Sequence, residues 1–85
     1  MNTERMQAIG RVEYLKKQIV QIGIQAGSHI QTISIEFNTL LTKKEWHKID
    51  TNKVAYLVEE LEKLQKQHSE AMEDLINLKE TYGIE

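Results

Sequence analysis

The stretch QIVQIGIQAGSHIQTISIEFNTLLT, which spans residues 18–42, decides the fold of this chain. It carries one formal charge, on Glu36, although 28% of the 85 residues are charged. Apolar side chains that recur through so long a stretch have to be covered by other protein surface. What packs against residues 18–42 therefore determines the architecture.

Interpreted as a helix, the stretch continues one apolar stripe that begins before it. Apolar residues recur at spacings of three and four, which is typical of the buried face of an amphipathic helix. The stripe consists of Val12, Leu15, Ile19, Ile22, Ala26, Ile30, Ile33, Phe37 and Leu40.

Interpreted as strands, the same residues form a β-hairpin at about 19–37 within an α+β fold. Gly27 and Ser28 would be its two-residue loop, and Ile22 would face Ile33 across the strands. The high content of β-branched residues favours this alternative. The helix is the preferred interpretation because the hairpin leaves Ile19 and Ile30 on its polar face.

A second helix is predicted from a heptad pattern in the last third of the chain. Its a and d positions are Val54, Leu57, Leu61, Leu64, His68, Ala71, Leu75, Leu78 and Tyr82. Gly83 is expected to end it. The prediction is a single all-α domain, a long helical hairpin resembling an antiparallel coiled coil. Its first helix spans about 3–41, its connector about 42–51 and its second helix about 52–82.

Each predicted helix has more apolar surface than the other helix can cover. The expected core and oligomer interface comprises Val12, Leu15, Ile19, Ile22, Ala26, Ile33, Phe37, Val54, Leu57, Leu61, Leu64, His68, Leu75 and Leu78. A second apolar face comprises Val20, Ile24, Ile35, Val58, Met72 and Ile76. Because a hairpin alone would expose this second face, the sequence predicts either a homo-oligomer or a partner helix supplied by another protein. A dimer that forms a four-helix bundle is the simplest solution.

Composition narrows the function classes. The chain has no cysteine, and its net charge is −2, so neither a thiolate metal site nor general nucleic-acid binding is expected. Residues 1–49 carry a net charge of +3 and residues 50–85 carry −5, which favours contact between the two halves. No signal peptide is recognised, and the polar residues within 18–42 argue against a membrane span. We expect a cytoplasmic protein without membrane contact.

Candidate chemistry is sparse. His68 occupies a core a position, where a polar residue commonly fixes helix register. The connector groups basic and aromatic residues that could bind a protein partner or a phosphate backbone. These residues are Lys43, Lys44, Trp46, His47, Lys48 and Lys53. The preferred interpretation, however, is that Trp46 and Ile49 close one end of the core and that the lysines around them are solvated. The many carboxylates of the last third are spread over the outer helix face, and no catalytic motif is present.

The sequence therefore predicts no enzyme, cofactor or metal. The preferred hypothesis is a small protein–protein interaction module that self-associates and acts as an adaptor, regulator or inhibitor of a larger protein partner. Two alternatives remain at this point. One is a nucleic-acid-associated regulator that uses Lys43–Lys53, and the other is a structural subunit of a larger assembly.

Overall fold

The structure, a computed structural model that describes residues 3–85, is an antiparallel helical hairpin. Helix α1 spans Thr3–Thr42, a short 3₁₀ helix spans Trp46–Lys48, and helix α2 spans Thr51–Tyr82. The hairpin is 65 Å long but only 16 Å by 14 Å in cross-section. The prediction of an all-α helical hairpin is confirmed.

The alternative β-hairpin at about 19–37 is wrong, because these residues all lie inside α1. The helix passes through Gly27 and Ser28 without a break, and the Thr32 hydroxyl donates a hydrogen bond to the Ser28 carbonyl at 3.0 Å. The physical reason is that α2 offers its apolar side to α1. A continuous helix extends the stripe of Val12 and Leu15 along α2, whereas a small sheet would need a further layer of structure to cover its apolar face.

The core lies in the seam between the two helices. Its cluster of buried residues is found near the ends of the chain. There Val12 and Leu15 of α1 pack with Ala71 and Leu75 of α2. Ile19, Leu78 and Ile84 cover this cluster from the sides. Val12 is the most enclosed side chain, at 1% exposure. Ala71 has a small side chain, which allows the two helices to approach each other closely here.

The ends of α2 are fixed by local hydrogen bonds that its sequence encodes. Asp50 caps the N-terminus, because its side chain accepts a hydrogen bond from the Lys53 amide at 3.0 Å. Gly83 adopts a left-handed conformation, with φ of 61°, and so ends the helix. Arg5 of α1 donates to the Tyr82 carbonyl at 2.7 Å, which joins the two helices at the open end of the hairpin.

Helix α1 ends in the same kind of turn, but without a glycine. Lys44 has φ of 56°, which a side chain with a Cβ disfavours. Glu45 donates to the Leu40 carbonyl at 2.8 Å, and Lys44 donates to the Leu41 carbonyl at 3.2 Å. This pair of hydrogen bonds is a Schellman motif, which satisfies the last carbonyls of α1.

The seam predicts that Leu15→Ala will destabilise the hairpin by about 2–4 kcal/mol, because the substitution removes buried methyl groups and leaves a cavity. Urea unfolding followed by circular dichroism measures this difference. Ile24→Ala is the matched control, since Ile24 is 60% exposed and its truncation should change the free energy of unfolding by less than about 0.5 kcal/mol. Equal effects of the two substitutions would contradict the seam.

Candidate protein-binding site

One side of the hairpin carries an apolar surface that neither helix covers. We call it the front face and define it by Gly23, Ile30 and Phe37 on α1 and by Val58, Gln65 and Met72 on α2. Within each helix these residues are seven apart, so they lie on one side of that helix.

The middle of the front face is a groove between the helices, with a volume of about 530 Å³. Residues from both helices line it, namely Ile22, Gly23, Ala26, Ile30, Leu61, Leu64, Gln65, His68 and Ser69. Ile30 is 54% exposed. The groove is therefore apolar, open to solvent and bordered by two small residues of α1.

A second groove, of about 190 Å³, continues the front face toward the connector. It is lined only by apolar and aromatic residues, namely Phe37, Leu40, Leu41, Trp46 and Ile49. Trp46 is 75% exposed, and its indole lies edge-on to the His47 ring at 6.1 Å. Large side chains held this far out of the core are typical anchors of protein interfaces.

The residues expected at the core differ widely in their burial within the single chain. Those that are buried are Val12, Leu15, Ile22, Leu57, Leu64 and Leu75. Those that are half-buried are Ile19, Ala26, Ile33, Val54, Leu61 and Leu78. Phe37 and His68 are exposed. The exposed pair lines the two grooves of the front face, so both residues are available to a further molecule.

The residues expected on a second apolar face lie on two different sides of the hairpin. Val58 and Met72 belong to the front face, and Ile76 lies one turn beyond Met72. Val20 lines a separate groove with Lys16, Lys17 and Gln21 and lies one turn before Ile24. Ile35 instead lines a different groove, together with Thr32, Glu36, Thr39, Leu40 and Lys53, and Ile24 points away from α2.

All six connector residues singled out in the sequence are exposed in the structure. Two of the four lysines lie beside carboxylates. Lys48 is 3.1 Å from Glu45, and Lys53 is 3.5 Å from Glu36. The second pair joins α2 to α1 and approaches the one Glu36 oxygen that is enclosed by protein. These pairs reduce the positive charge that the connector offers to an external anion.

Ionisable groups elsewhere on the described chain include two exposed ion pairs within helices. Residues 3–85 contain no group of three histidine, aspartate or glutamate side chains placed to hold a metal ion. The Glu13–Lys16 and Glu60–Lys63 pairs lie on exposed helix faces. The hydrogen bond to Glu60 raises the pKa of Lys63, but such exposed pairs contribute little to stability.

Sequence reasoning missed several residues of the front face. Leu41, Gln65 and Ser69 line its grooves, yet none belongs to an apolar stripe that faces the opposite helix. The sequence indicates Gly23 only as a point where another backbone could approach. The seven-residue spacing of Gly23, Ile30 and Phe37 is the signal that could have identified this row. Whether this row is buried or exposed depends on which side of α1 is covered by α2, and the folded hairpin is needed to see that.

Comparison with protein-family models, with curated proteins and with solved structures finds no match to this chain. No helix within residues 3–85 combines the length and the apolar character needed to cross a bilayer.

Lys44 has a left-handed backbone conformation, which glycine adopts without steric cost. We therefore expect Lys44→Gly to raise the free energy of unfolding by about 0.5–1 kcal/mol. Chemical denaturation measures the change. Lys43→Gly is the control, since the Lys43 amide continues the helical bonding to the Thr39 carbonyl and glycine there should reduce stability. A loss of stability in Lys44→Gly would contradict the strained turn.

Proposed function

We propose that this chain is a non-enzymatic protein–protein interaction module that self-associates through its front face and presents its connector to a larger partner protein. The observation that carries the proposal is the open apolar groove between the helices, which is lined by side chains such as Ile22, Ile30 and Leu61. A groove of this kind fits the apolar face of another helix.

The exposed area of the chain supports the same conclusion. The chain exposes 6686 Å², whereas a compact protein of 9.9 kDa exposes about 5,200 Å². The excess of about 1,500 Å² is larger than the ~800 Å² that each partner contributes to a stable interface. A second hairpin packed on the front face would give a four-helix bundle and would cover the apolar rows of both copies.

The connector is the part of the molecule best placed to act as an adaptor, regulator or inhibitor surface. Trp46 and Leu41 line the second groove at the end of the hairpin, beyond the central groove where Ile30 and Leu61 would meet the second copy. Lysines surround them, which suits a partner whose surface combines an apolar pocket with carboxylates.

The alternatives have less support. A nucleic-acid-associated regulator would use the connector lysines, but Lys48 and Lys53 already lie beside carboxylates, and the net charge of the whole chain is negative. A structural subunit of a larger assembly needs a second association surface that does not close on itself.

Self-association is tested with a matched pair of substitutions on α1. Ile30→Asp places a charge in the front-face groove, whereas Ile24→Asp places one on the opposite side of the same helix. The two isoleucines are 54% and 60% exposed, so the isolated hairpin should tolerate both changes. We expect Ile30→Asp to weaken dimerisation by at least about 100-fold, because it buries an unpaired charge in the interface. We expect Ile24→Asp to leave dimerisation unchanged.

Light scattering gives the mass of each variant, and circular dichroism verifies that its helices persist. A monomeric wild-type chain at high concentration would exclude self-association. Disruption by Ile24→Asp alone would place the interface on the other side of α1. Masses well above a dimer would favour the structural-subunit alternative.

Partner binding is tested at the connector. We expect Trp46→Ala to abolish capture of the partner from an extract of the source cells, because the indole is the largest exposed anchor. Tyr56→Ala is the control, since Tyr56 is also an exposed aromatic residue, at 59%, but lies outside both grooves. Cross-linking followed by mass spectrometry identifies the captured protein. Equal capture by both variants would exclude the connector as the binding surface.

A further inference from the structure

We infer that the occupant of the front face is a second copy of this chain, placed so that α1 packs against the partner's α2 and both connectors lie at the same end of the bundle. This inference rests on the proposed self-association and specifies its geometry. Two hairpins that meet through their front faces with two-fold symmetry have two arrangements available. In one arrangement the symmetry axis runs along the hairpin, and in the other it runs across it.

The charges of the helices distinguish these arrangements. Residues of α1 include four Lys and Arg against three Glu, a net charge of +1, and residues of α2 include four Lys against seven Asp and Glu, a net charge of −3. An axis along the hairpin places each helix next to the oppositely charged helix of the partner. An axis across the hairpin places α2 against α2, so that two helices with a net charge of −3 each face one another, which is unfavourable.

The sizes of the front-face side chains on α1 and α2 also favour the axis along the hairpin. Gly23 and Gln65 line one groove, so they lie at the same level along the hairpin. Rotation about an axis along the hairpin keeps this level and brings the partner's Gln65 over Gly23. The large side chain of one copy then meets the small residue of the other, as knobs meet holes in helical bundles. The crosswise axis would instead place α1 over α1 and α2 over α2 near the centre.

The glycines of α1 are consistent with a closely approaching neighbour. A glycine inside a helix lowers the stability of that helix relative to alanine. A Cβ added at Gly23 or Gly27 would meet no atom of this chain within 4 Å, so packing within the hairpin does not require either glycine. The space beside Gly23 opens on the front-face groove. The exposed area and the charges of the helices both favour a second copy there.

A distance between two spin labels tests the arrangement in the full-length chain. The sequence has no cysteine, so Thr42→Cys provides one labelling site per chain. Thr42 is the last residue of α1 and is exposed, and it lies seven residues after Ile35, away from the front face. We expect a label–label distance below about 35 Å, since helices in a bundle pack 8–10 Å apart.

A distance of about 55 Å or more would overturn the inference, because the two labels would then lie at opposite ends of a hairpin that is 65 Å long. Light scattering on the same sample separates this failure from failure of the proposed function. A dimer with the long distance retains self-association and rejects the arrangement, whereas a monomer rejects both. A dimer with the short distance that is lost in Ile30→Asp supports both.

Discussion

A pair of helices can bury only one side of each helix, and this geometric limit governs the whole molecule. Helix α1 presents apolar residues on more than one side, so α2 can cover only the stripe that contains Val12, Leu15 and Ile22. Large apolar side chains on the other sides of the two helices are then left exposed. The buried seam and the exposed front face are therefore two consequences of the same constraint, and neither can be understood without the other.

The seam also explains why the fold is a hairpin and not a longer rod. Helix α2 has a strict heptad stripe that needs one partner helix, and the N-terminal half of α1 supplies it through Val12 and Leu15. At the other end the Lys53–Glu36 pair joins the helices, and the Lys44 turn stops α1 before the connector. The connector is short because Asp50 starts the next helix within eight residues of the end of α1.

Periodicity was sufficient to predict both helices and their antiparallel pairing, because the heptads of α2 and the stripe of α1 are each long and regular. It could not identify the front face. Val20, Ile24 and Ile35 are as apolar as the residues of the seam, and only the direction in which α2 approaches α1 leaves these three exposed. Gly23 and Gln65 belong to no apolar stripe of the sequence, yet both line the central groove once the helices are paired. The sequence also did not determine whether Trp46 is buried or exposed. Ile49 nearby is half-buried, and the indole could have occupied a similar position.

The strained turn at Lys44 connects the fold to the proposed role of the connector. A glycine at this position would end α1 with less strain, and selection for stability alone would favour it. A lysine here instead adds a cation to the connector, two residues before Trp46. It costs stability at the end of the helix and contributes to the charge of the proposed partner-binding segment. Such a cost is expected where a turn contributes to binding as well as to folding. In a bundle with both connectors at one end, the two copies would present this combination twice on a single surface, which would raise the affinity for a partner with two matching sites.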